Sequence, residues 1–143
     1  MKFTRLLPAL IATGLLFASP VSATTPKRVT VTGEVIDTWC YVTQIMIAVG
    51  TAHHQCAVWC AAGGIPVSIR GDDEKVYVVL RVEDDGTSNA NPRLLRIQTH
   101  KVTVDGDLYE RDGVNYLLVT HVADDQGIVD LNHERFGIQP FGK

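Results

Sequence analysis

Arg28-Val29-Thr30-Val31-Thr32-Gly33-Glu34-Val35-Ile36-Asp37-Thr38 alternates apolar and polar side chains, with Val29, Val31, Gly33 and Val35 on one face. Successive side chains of a strand point to opposite faces, so a period of two predicts a half-buried strand. Gly33 breaks the β-branched series. A glycine inside a strand weakens it and marks a bulge or a sharp bend.

Further along, Ile65–Arg70 and Lys75–Val82 form two predicted strands separated by the turn Gly71-Asp72-Asp73-Glu74. Val76-Tyr77-Val78-Val79-Leu80 is apolar on both faces, which predicts a central strand. Glu83–Pro92 is a polar loop, and Leu94–His100 is too short to assign. Lys101–Glu110 and Val114–Val122 are joined through Arg111-Asp112-Gly113, a strong hairpin signal. Ala123–Lys143 is a polar tail with isolated apolar residues. Five strands, a bent glycine-bearing first strand and a terminal hairpin predict a mainly β fold, a small five-stranded OB-like barrel. A split β-sandwich is the alternative.

Between the first two strands lies a helical insertion. Tyr41–Gly50 is apolar and ambiguous. Thr51 is a candidate N-cap for one short, cysteine-bearing helix running through Ala62, stopped by Gly63-Gly64, and Pro66 returns the chain to extended geometry.

All three cysteines of the chain fall in this stretch. His53, Cys56 and Cys60 are three and seven positions apart, so on a helix they share one side. Cys40, in Asp37-Thr38-Trp39-Cys40-Tyr41, arrives from the end of another element. Three thiols and an imidazole are the ligand set of a tetrahedral soft-metal site, so Cys40, Cys56, Cys60 and His53 are the candidate ligands of a copper or zinc ion. Cysteines four apart on a helix hold their Cβ atoms about 5–6 Å apart. A disulfide needs about 3.5–4.5 Å, so Cys56 and Cys60 are not expected to bond to each other.

Two other readings use the same thiols. Cys40 bonded to Cys56 or Cys60 would staple the helix to the barrel, leaving a binding module for a small ligand or a partner protein. Alternatively the thiols serve a redox partner. His54 points about 100° away from His53 and is the weaker ligand. A lone Met46 in an apolar run, and Trp39, Tyr41 and Trp59 beside the cysteines, suit core packing better than chemistry. The spacing of a covalent haem, a thioredoxin-like redox motif, a serine-nucleophile elbow and a phosphate loop are all missing. The chain therefore reads as a binding protein, not an enzyme.

The N-terminus has the layout of an export signal. Met1-Lys2-Phe3-Thr4-Arg5 is basic, Leu6–Ala18 is apolar, and Val21-Ser22-Ala23 is a small-residue cleavage site. Residues 1–23 are the predicted signal peptide and 24–143 a single OB-like domain, placed in the periplasm or secreted. The apolar run is shorter than the roughly 20 residues of a spanning helix, so no membrane insertion is expected after cleavage. The chain carries 13 basic and 16 acidic residues, and losing Lys2 and Arg5 makes it more acidic. Nucleic acid is thus not an expected partner, since counterion release needs a basic face. A metal ion and a periplasmic partner protein are.

Gly33-Glu34-Val35-Ile36-Asp37-Thr38-Trp39-Cys40-Tyr41, followed by His53-His54-Gln55-Cys56-Ala57-Val58-Trp59-Cys60 and Gly64-Ile65-Pro66, resembles a pattern found in small exported bacterial proteins of undefined function. In that pattern a strand end G-x-V-x-D-x-x-C-Y precedes H-x-x-C-A-x-x-C and a G-x-P turn. The resemblance implies an OB-like barrel and importance for the cysteines and His53. It implies no particular reaction.

Overall fold

The computed structural model describes residues 24–83, 92–133, 135 and 137. The predicted signal peptide, residues 1–23, lies outside them, as do residues 84–91 of the polar loop. Among the described residues the chain forms β1 (Lys27–Asp37), α1 (Thr38–Thr43), α2 (Gly50–Ala62), β2 (Val67–Gly71), β3 (Val76–Val82), α3 (Pro92–Arg96), β4 (Lys101–Arg111) and β5 (Val114–Asp125).

The strands close into a barrel in the order β1-β2-β3-β5-β4. Every neighbouring pair is antiparallel except β3 and β5, which run parallel. This is the mainly β, five-stranded OB-like barrel expected from the sequence. Among the described residues, closure leaves each of the five strands with a neighbour on both sides.

β1 is the strand that makes closure possible. Its first part, Lys27–Glu34, pairs with β4, and its last part, Gly33–Asp37, pairs with β2. Gly33 belongs to both ladders, opposite Val102 and Gly71. A Cβ at Gly33 would lie 2.2 Å from the Arg70 carbonyl oxygen, so only glycine lets β1 come this close to β2. Alternation carries Val31 and Val35 inward, where they meet Ile69, Val79, Val102, Val104, Leu117 and Val119.

Two local expectations are corrected. Helix α2 starts at Gly50, not after a Thr51 cap, and Val49 at the cap position offers no side-chain bond. The free amides are satisfied from afar: Gly50 N–H donates to Glu34 Oε1 (2.6 Å), Thr51 N–H to the Asp130 carbonyl (2.9 Å) and Ala52 N–H to Asn132 Oδ1 (2.8 Å). β3 is central as expected, paired with β2 on one side and β5 on the other, though only one of its faces is buried. A barrel has a single inside, so Tyr77, Val79 and Val82 are buried while Leu80 is 40% exposed. Finally, the insertion after β1 is two helices rather than one, and Cys40 sits on the first of them.

Candidate metal centre

The site is built where β1 runs into α1. Asp37 ends the strand in extended geometry and is the N-cap of α1, its Oδ1 accepting the Cys40 amide at 3.1 Å. That bond fixes the carboxylate over the first turn of the helix, beside the Cys40 side chain, which is buried. Gln44, in the left-handed region at φ 53°, ends α1 and turns the chain back toward α2.

α2 packs its Gly50, His53, Ala57 and Ala61 stripe inward. Cys56 and Cys60 stand at the flank of that stripe and are partly buried. The ligand atoms of Asp37, Cys40, Cys56 and Cys60 all lie within 4.8 Å of one another. The Cys56 and Cys60 sulfurs are 3.9 Å apart, and all three cysteines are free thiols.

These distances suit a soft ion. Two sulfurs bound at 2.3 Å with a tetrahedral angle stand about 3.8 Å apart. The Cys56–Cys60 pair already has that separation, and no pair needs a contraction of more than about 1 Å. Four such convergent donors could hold a metal ion.

His53 is not one of the four convergent donors. It lies behind Asp37, with Nε2 3.8 Å from Asp37 Oδ2 and both side chains 1% exposed. Neither atom has a hydrogen-bond partner among the described residues. Asp37 occupies the fourth place that the sequence assigned to the histidine. The signal was present in the spacing Asp37-x-x-Cys40, because an N-cap carboxylate folds over the amide three residues on and so faces that residue's side chain.

The charges of the site restrain one another. Burial works against the Asp37 carboxylate, but the Cys60 thiol, the Cys40 amide and thiol and the His53 ring together outweigh it and hold its pKa below the ordinary value. Burial, then the Asp37 charge, pushes the Cys40 thiol up to about 12. Asp37 and then burial raise Cys60 as well. Burial lowers His53, partly offset by Asp37, so the imidazole is held toward its neutral form. The cluster therefore sets a carboxylate against two thiols, Cys40 and Cys60, held toward their protonated form.

The neighbours differ from the core packing expected of them. Trp39 is 50% and Trp59 70% exposed, so both lie on the surface beside the cysteines. Met46 is also half exposed, and its sulfur lies 3.6 Å from Cys56 Sγ. His54 turns away as expected, its Nδ1 3.0 Å from both the Gln98 carbonyl and Thr99 Oγ1. Among the described residues no helix is long and apolar enough to cross a membrane. In comparisons with known proteins, no family model, curated protein or solved structure matches this chain.

Proposed function

We propose that this is a periplasmic or secreted protein that binds or delivers a soft metal ion, copper or zinc, at Cys40, Cys56, Cys60 and Asp37. The observation that carries the reading is the convergence of three free thiols and a buried carboxylate from two helices and a strand end within 4.8 Å. A divalent zinc ion would use all four donors, and a monovalent copper ion the sulfurs. His53 would keep the carboxylate in place from behind. The exposed apolar side chains beside the cysteines, Trp39, Val42, Ile45 and Trp59, support delivery to a partner protein.

The test is metal titration of the reduced protein without oxygen, followed by desalting and elemental analysis. Stoichiometric copper or zinc is expected, lost in Cys40→Ser and Cys60→Ser. A reduced, metal-supplemented chain that retains neither ion would sink the proposal.

A second reading rests on the same proximity. Cys40 joined to Cys56 or Cys60 would give a disulfide, releasing two protons and two electrons to a thiol–disulfide partner, or a permanent staple beneath a binding module. Alkylation and mass analysis of protein isolated from the periplasm separates these states. Three alkylated thiols favour the metal site, and one favours the disulfide.

A further inference from the structure

We propose that Met46 is a fifth donor, forming with Cys56 a thioether–thiolate pair through which Cu(I), and not Zn(II), enters and leaves the cluster. This deepens the soft-metal reading and rests on it. Met46 lies in the connection between α1 and α2, ten residues before Cys56, and its sulfur is 3.6 Å from Cys56 Sγ. That is close to the separation of about 3.8 Å expected of two sulfurs on one ion. Without an ion the Cys56 thiol donates to the Met46 sulfur, so the two sulfurs already face each other. Met46 is 49% exposed and is not part of the barrel core.

The three sulfurs form an inward series. Met46 is exposed, Cys56 partly buried and Cys40 buried. Met46 also lines a surface groove of about 430 Å³ with Tyr41, Val42, Gln44, Ile47 and Arg70, so it is reachable from solvent. A thioether is neutral and has no proton to lose. It is a soft donor that suits Cu(I), whereas a zinc ion prefers thiolate, imidazole or carboxylate. The transfer is ligand exchange: a Cu–Met46 bond breaks as Cu–thiolate bonds form, each thiol gives its proton to solvent as it becomes a thiolate ligand, and copper stays Cu(I).

Besides Met1, Met46 is the chain's one methionine, so a methyl-¹³C methionine label reports on it directly once the signal peptide is gone. Reduced protein with this label is titrated with Cu(I) and separately with Zn(II). The Met46 methyl resonance should shift strongly with Cu(I) and little with Zn(II). Met46→Leu should lower Cu(I) affinity against a competing chelator by at least about tenfold, the low end for a lost partner around a metal, and leave Zn(II) affinity unchanged. An unmoved methyl resonance, or equal losses for both ions, overturns the role of Met46 while leaving the cysteine site standing. If the wild-type chain binds neither ion, both proposals fall.

Discussion

Asp37 holds the helix that carries Cys40 by accepting the Cys40 amide at 3.1 Å, and its charge opposes ionisation of the Cys40 thiol. The two roles separate in Asp37→Asn. Asparagine is as good an N-cap as aspartate, so stability should change by less than about 1 kcal/mol, whereas Asp37→Ala should cost about 1 kcal/mol or more. The lost charge should let the Cys40 and Cys60 thiols ionise at lower pH. Thiolate absorbance against pH, with urea unfolding alongside, checks both. Thiol titrations unchanged in Asp37→Asn would show that burial alone sets them.

Metal uptake should depend steeply on pH. Cys40, pushed up to about 12, and Cys60, raised with it, are protonated at neutral pH, so an ion bound as thiolate must displace those protons. Affinity should rise with pH across the neutral range, with one proton released to solution for each thiol converted. Proton release in weakly buffered solution during zinc titration measures this. Binding that is independent of pH between 6 and 8 would show that these thiols are not the ligands.

Glu34 contributes a different pH dependence. Burial raises its pKa, only partly offset by the Gly50 amide it accepts. The folded state then binds this proton more tightly than the unfolded chain does. The stability it contributes is fully present below the unfolded value and is lost as pH rises through the raised folded value. Glu34→Gln keeps an acceptor for Gly50 and removes the buried charge. The variant should be the more stable of the two at neutral pH, with the advantage fading as pH falls through the raised Glu34 value and gone below about pH 4. Urea midpoints from pH 3 to 8 decide it, and an advantage that grows on acidification would refute the assignment.

The barrel was legible because its signals are local. The alternation around Gly33, the Asp112-Gly113 hairpin and the polar turn at Asp72-Asp73 each report on a few neighbouring residues. The convergence of three cysteines was also legible, since helical spacing fixes Cys56 against Cys60. What the spacing could not rank was His53 against Asp37. A helical sector is wide enough for His53 to lie on the inward stripe with Ala57 and Ala61 while Cys56 and Cys60 stand at its flank. Likewise the exposure of Met46, Trp39 and Trp59 depends on how α1 and α2 lie on the barrel, which no local pattern encodes.

Gly33→Ala tests the bend on which the barrel depends. The added methyl would stand 2.2 Å from the Arg70 carbonyl oxygen and 2.8 Å from the Gly71 Cα, both backbone atoms that cannot swing aside. Either β1 separates from β2 or the register shifts. The expected cost is about 1–3 kcal/mol or more, the range of overpacking in a filled interior. Thermal and urea unfolding measure it. A neutral substitution would mean that β1 and β2 part there without penalty.

Asn132 shows how far outside its own sequence a helix can find its cap. Its Oδ1 accepts the Ala52 amide at 2.8 Å and the Thr51 hydroxyl at 3.3 Å, while its Nδ2 donates to the Val49 carbonyl at 2.7 Å. The cap lies about 80 residues from the helix it closes, in the polar tail, so no capping signature at Thr51 could reveal it. Asn132→Ala removes all three bonds and leaves part-buried backbone groups unpaired, which should cost about 1–3 kcal/mol. Because α2 carries Cys56 and Cys60, its first turn should exchange amide hydrogens faster and metal affinity should fall with it. Asn132→Asp, which retains the acceptor for Ala52, should recover part of both. If Asn132→Ala frees the α2 amides yet metal affinity is unchanged, the two cysteines are held by the C-terminal half of the helix alone.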